Sequence, residues 1–239
     1  MVMTGVSMTR SVSPHATLCA LLGLLSTASA GAEVRVLADP AQMLATARRV
    51  GFSGQHNYGV EQGPRGLVLR STAQSSASGL YQDLEIDGRS LRKVHWTWRV
   101  DAMPSRADLR DLEREDVAAA VFFVFGEPSF LNSDVPTLAY VWSSTPVADG
   151  TELPSLRFHS LRYIQLRGGR DVKAWHAECR DIAQDFRSAF GEDPPGLRYV
   201  AIFNDNDQTG EATSALFGSV EALPPSEAAC HGLAQFNLR

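Results

Sequence analysis

Little in this sequence is set aside for thiol or hydrolase chemistry. Three cysteines are spread over 239 residues, Cys19, Cys179 and Cys230, and no two of them form a CxxC pair. That spacing argues against a thiolate metal site. Neither GxSxG nor HExxH occurs, so a nucleophile-elbow hydrolase and a zincin-type metal hydrolase are not indicated. His56, His95, His159, His176 and His231 are scattered, with no spacing to a serine or carboxylate. Basic residues do not cluster with aromatics, which argues against a nucleic-acid partner. Past the N-terminus no apolar run approaches the roughly 20 residues of a membrane-crossing helix. The small-residue stretch 71–79 reads as a loop, and no helix signal follows it, so it is not a phosphate cradle.

Charge is also missing at the N-terminus. Arg10 is the only charged residue before Glu33. Residues 16–25, ATLCALLGLL, form an apolar core too short to span a bilayer, and Ala28-Ser29-Ala30 supplies small residues for cleavage. This grammar predicts a signal peptide over 1–30, one domain over 31–239, and a secreted or periplasmic protein. Cys19 lies inside the apolar run and reads as filler. Removing Arg10 from 22 basic side chains leaves 21 against 27 acidic ones, a net charge of −6. Export leaves Cys179 and Cys230, which an oxidising compartment favours as a disulfide. It would close 51 residues of chain, from 179 to 230, worth roughly 4 kcal/mol in the chain-entropy picture. The alternative is two unrelated thiols, one on a loose tail.

What the sequence does contain is centred on residues 199–210, YVAIFNDNDQTG. An apolar run turns polar within one residue, and Asp205 and Asp207 follow. This reads as a buried strand that holds a ligand-bearing loop still. Residues 117–125, VAAAVFFVF, are apolar on both alternating faces and predict a central strand covered on both sides. Glu115 and Asp116 stand at its start. In 94–101, Val94, Trp96, Trp98 and Val100 share one face, while His95, Thr97, Arg99 and Asp101 share the other. In 138–143, Leu138, Tyr140 and Trp142 share a face. Asp39-Pro40 opens one short helix, to about Val50, and Asp181 caps a second, which Gly191 and Pro194-Pro195 stop. Residues 215–223 read as a last strand. Eight to ten short strands, two short helices and no strand–helix rhythm predict a mainly β, antiparallel sandwich or jelly roll.

Several of these motifs recur together in one order: Trp96-Thr97-Trp98-Arg99-Val100, Glu115-Asp116, Tyr140-Val141-Trp142, Trp175 with Arg180-Asp181, Phe190-Gly191-Glu192 with Pro194-Pro195, and Asp205-Asn206-Asp207. As a set they resemble the bacterial domain-of-unknown-function family 3047, over roughly residues 52–223. Members of that family are typically exported, with no established activity. The resemblance implies a galactose-binding-like or jelly-roll sandwich, an analogy of fold and not a function. Two positions depart from it. Ala120 stands where the resemblance implies an arginine, and Ala139 where it implies an asparagine.

Three site readings follow. Residues 205–210, DNDQTG, match the opening of a calcium-hand loop, but Leu216 occupies the place of its closing glutamate. Calcium at Asp205 and Asp207, completed by Glu115 or Asp116, stands beside the simpler reading of an Asx-type turn. The same four acids could supply a glycosidase pair. Arg99 with Tyr140 or Trp142 would make a sugar or carboxylate site if their face is open, and Arg99 would be an ion pair if it is closed. The function expected first is non-catalytic binding of a glycan or other polar small molecule, with no cofactor. A carbohydrate-active hydrolase using the acidic loops and a purely structural periplasmic module are the alternatives. The two central strands are expected to bring Glu115 or Asp116 next to Asp205 or Asp207, with Arg99 close and at least one acid raised in pKa.

Overall fold

The computed structural model describes residues 33–127, 134–169 and 172–224. Among the described residues, twelve strands and two α-helices run in the order β1 (Arg35–Ala38), α1 (Pro40–Thr46), β2 (Arg48–Gly63), β3 (Gly66–Ile86), β4 (Val94–Ala102), β5 (Val117–Phe125), β6 (Thr137–Trp142), β7 (Thr151–Pro154), β8 (Leu161–Arg167), β9 (His176–Arg180), α2 (Ile182–Phe190), β10 (Leu197–Asp205), β11 (Thr213–Phe217) and β12 (Val220–Ala222). The strands pair in the order β1-β12-β4-β11-β3-β10-β5-β6-β8-β7, with β2 on β3 and β9 on β4. All described pairs are antiparallel except β6 with β8, which is parallel.

This continuous ladder is folded over at β3 into a two-layered sandwich of the jelly-roll class. The first part of β3 pairs with β11, and the second part with β10. The two layers meet through aromatic rings. Trp96 on β4 lies 5.3 Å from Tyr140 on β6 and 6.4 Å from Phe123 on β5, centroid to centroid. Trp98 meets Trp142 at 5.8 Å. These residues are fully buried, and their period-two alternation fixes which face of each strand enters the core. Polar tips reach partners at the edge of this core. The Trp98 indole donates to Glu178, which also accepts from Arg167. Tyr140 donates to Asp185 on α2 at 2.7 Å, and Arg180 grips the same carboxylate. Burial, then the neighbouring Asp185, holds the Tyr140 hydroxyl well above its ordinary pKa, so it stays a donor.

Both helix caps behave as their residues dictate. Asp39 accepts from the amide of Gln42, and Asp181 from that of Gln184. Gly191 closes α2 at φ +77, a left-handed position that favours glycine. The first helix stops at Thr46, short of Val50, because Arg48 already pairs in β2.

Residues 71–79 and 215–223 also differ from the sequence expectation. Residues 71–79, expected as a loop, lie inside the 21-residue β3. Their small side chains sit where β3 changes partners, and pairing on both edges outweighs weak strand propensity. Gly54 at φ +63 marks the matching bulge in β2, where a Cβ would stand 2.0 Å from the Ser75 carbonyl oxygen. Residues 215–223 form two strands, not one. Gly218 donates to the Thr97 carbonyl at 2.8 Å, which breaks the run between β11 and β12.

Among the described residues no helix is long and apolar enough to cross a membrane. The expected signal peptide and Cys230 lie outside the described residues. Cys179 sits in β9, opposite His95 of β4.

Candidate functional site

Alternation gives β10 two different faces. Val200 and Ile202 point into the sandwich core. Tyr199, Ala201, Phe203 and Asp205 point the other way and, with Asp207 beyond them, line an open groove. The strand rise of roughly 3.3 Å per residue makes this row about 20 Å long. On one side β3 contributes Ala77, Gly79 and Tyr81, and on the other β5 contributes Phe122 and Val124. Phe52 of β2, Tyr163 of β8 and Phe158 complete an aromatic wall around a volume of about 550 Å³. Phe203 is the centre of the floor. It lies 5.1 Å from Phe122 and 6.3 Å from Phe52, centroid to centroid. Gly79 is opposite it in the ladder, and a Cβ there would approach the Phe203 ring to 2.8 Å. The missing side chain is what lets the ring lie down.

The far end of the groove is capped by Tyr81 and Tyr199 in an edge-to-face pair at 5.4 Å, with the Arg48 guanidinium 4.9 Å over Tyr81. The near end is acidic. Carboxylate oxygens of Asp116, Asp205 and Asp207 lie within 4.8 Å of one another. The antiparallel pairing of β5 and β10 places Asp205 against Val117, and so brings the two acid-bearing termini together. The expected convergence is therefore present.

The three acids differ in what they do. Asp116 is fully buried and accepts from the amides of Gln208 at 3.2 Å and Thr209 at 2.7 Å, one per oxygen. It fastens the loop after β10. Asp207 accepts from the Ser53 hydroxyl at 3.1 Å. Asp205 accepts from the Asp207 amide at 3.3 Å. Burial, then the nearby Asp207 and Asp116, push the Asp205 carboxyl up to about 8. At neutral pH it carries its proton, as two like charges so close require. Calcium wants six to eight oxygens. Each Asp116 oxygen accepts from one backbone amide, and the repulsion within the cluster is relieved when Asp205 holds its proton.

Glu115 belongs to the groove rather than to this cluster. Its Oε1 accepts from Ser155 at 2.7 Å and Tyr163 at 3.2 Å, and Oε2 lies 3.5 Å from Arg157 Nε. Burial and the adjacent Glu115 raise the Tyr163 hydroxyl far above its ordinary value, so it remains a donor.

The other predicted residues lie elsewhere. Tyr140 and Trp142 are fully buried between the sheets and present no face to a ligand. Arg99 does not approach the loop acids. It stands on the opposite sheet, bonded to Asp101 at 2.7 and 3.0 Å and 5.4 Å from the Trp175 ring. Arg70 joins that network through Asp101 and Glu61, so Arg99 is a structural ion pair. The acid cluster is relieved by protonation, not by Arg99. Ala120 and Ala139 lie on the groove side of β5 and β6, buried in a small cluster with Tyr163 and packed by Phe122 and Phe203.

Sequence reading missed Phe52, Phe122, Phe158, Tyr163, Tyr199 and Phe203 as site residues. The signal was in plain view: Tyr199, Phe203, Asp205 and Asp207 all share one parity. Residues 199–203 read simply as a buried strand because both parities are apolar up to Phe203.

A two-layered sandwich with an open, aromatic-floored groove across one sheet defines a class of β-sandwich domain with a ligand-sized cleft. The chain belongs to the family described as "Protein of unknown function (DUF3047)", which matches residues 47–221. No curated protein matches it. Among solved structures it is similar to the family 11 carbohydrate-binding module of the cellulase Lic26A-Cel5E of Clostridium thermocellum, at 11% identity over 82% of this chain and 98% of that one, TM-score 0.44. The family 11 module from the same organism in complex with a β-1,3-1,4-mixed-linked tetrasaccharide is 10% identical over 79% and 94%, TM-score 0.39. The family 11 xylanase from Neocallimastix patriciarum is 10% identical over 73% and 98%, TM-score 0.33. None of these values is high enough to carry a ligand over to this chain.

Proposed function

We propose that the groove binds a glycan or another small molecule that is apolar along one face and polar at one end. The observation that supports this is the single row Tyr199, Phe203, Asp205 and Asp207, which sets aromatic rings beside acceptor oxygens in one cleft. Pyranose rings offer that combination, with C–H faces for stacking and hydroxyls for carboxylates. Phe203→Ala is expected to weaken binding roughly three- to tenfold by calorimetry with soluble oligosaccharides. Unchanged affinity would move the site away from the groove.

A second reading is hydrolysis. It is favoured by Asp205, a protonated carboxyl beside two others at the end of the cleft, which is the arrangement a general acid requires. Under this reading Asp205→Asn removes turnover and leaves binding intact.

We also propose that the protein is exported and that Cys179 pairs with Cys230. The intact mass of protein recovered from the periplasm tests both. It is expected to begin after Ala30 and to be lighter than the reduced chain by one pair of hydrogens. A retained N-terminus or two alkylatable thiols would count against the respective half.

A further inference from the structure

The acidic end of the groove is built almost wholly of acceptors. Asp116, Asp205 and Asp207 gather there, and Glu115 lines the same groove beside Arg157, whose guanidinium is itself held by the Leu112 carbonyl at 3.2 Å. The Glu115 side chain is only 2% exposed, yet its Oε2 receives no hydrogen bond. Gln208 Oε1 is likewise a buried oxygen, lining the groove, that no N–H or hydroxyl reaches, while Asp207 has only the Ser53 hydroxyl and the proton held by Asp205 beside it. Buried acceptors without donors are costly, and these open onto a cleft where a ligand could complete them. A neutral hydroxyl brings one proton. A protonated amine brings up to three and also offsets the excess negative charge. An amide carbonyl at this place would face carboxylates and be repelled.

Resting on the groove reading above, we propose that the ligand carries a protonated amine at the Glu115–Asp207 end, with its apolar face along Phe122 and Phe203. Amino sugars with free amines are the glycan class that fits. The aromatic floor supplies the stacking, and the acids select the unacetylated form.

The test uses the unmodified protein and calorimetry with the glucosamine trisaccharide, its fully N-acetylated counterpart and a neutral glucose trisaccharide. The free amine is expected to bind roughly tenfold or more tightly than either of the others. Glu115→Gln with Asp207→Asn is expected to bring the three affinities together, with folding checked by melting. A second readout needs no variant. Asp205 is faced by Asp116, Asp207 and Tyr163, so an arriving cation should drive off its proton. Repeating the titration near pH 7 in buffers of different ionisation enthalpy should show proton release for the amine alone. Equal or tighter binding of the N-acetylated or neutral sugar overturns this inference and leaves the groove reading standing. Binding of none of the three overturns both.

Discussion

Asp205→Asn is expected to make the protein more stable than its parent at pH 9 and little different at pH 4. The cause is burial of Asp205, reinforced by Asp207 and Asp116, which together push its carboxyl up to about 8. The ordinary value is 3.8. Between those two values the folded protein holds a proton that the unfolded chain has lost. Stability therefore falls as pH rises from about 4 to about 8, and levels off above that. The full cost of ionising the buried carboxyl is on the order of 5 kcal/mol, from 1.36 kcal/mol per pKa unit. Asparagine keeps the oxygen that accepts from the Asp207 amide and has no charge to desolvate. Melting curves of both proteins from pH 4 to pH 9.5 should diverge through this window. Parallel curves would mean that Asp205 is not held protonated, and would remove the general-acid reading with it.

Asn206→Ala is expected to cost roughly 3–5 kcal/mol and to loosen the whole acidic end. Asn206 is fully buried. Its Oδ1 accepts from the Ser76 amide at 2.8 Å, and its Nδ2 donates to the carbonyls of Ala73, at 2.9 Å, and Glu211. One side chain thus ties the loop to the point where β3 changes partners. Alanine would strand one buried donor and two buried acceptors. Urea denaturation measures the loss, and a change under about 1 kcal/mol would show that water replaces these bonds. Asn206→Asp is expected to be no remedy, since a carboxylate would face two carbonyl oxygens. Asn204 repeats the device one step earlier, donating to the Ala118 carbonyl and accepting from Thr213. In the run Asn204-Asp205-Asn206-Asp207 the asparagines pin the backbone and the aspartates face the cleft.

That division was half legible in the sequence. Alternation in 94–101 named the core face of β4 correctly, and the apolar run 117–125 gave β5 to the residue. Asp39, Asp181 and Gly191 marked the helix ends because capping is local chemistry. The stretch 199–210 reads as a strand running into an acidic loop, and β10 does run from Leu197 to Asp205. The role of its asparagines was not legible, since nothing local reports that Asn206 bonds to Ser76 and Ala73, 130 and 133 residues away in sequence.

The tertiary structure decided the rest. Tyr140, Trp142 and Trp98 share an alternation pattern with any surface aromatic row, and only the fold of one sheet over the other buries them. Arg99 meets Asp101, its neighbour two residues on along the same face of β4, and the fold decided that the loop acids lie on the other sheet. The groove itself is made by six strands from distant parts of the chain, β2, β3, β10, β5, β6 and β8. The sequence by itself determined the core face of β4, the run of β5 and the helix caps, because these follow from periodicity and short-range hydrogen bonding. Which outer face becomes a cleft, and which carboxyl in it keeps its proton, depended on distance through space and on exclusion of water, which only the packed sheets set.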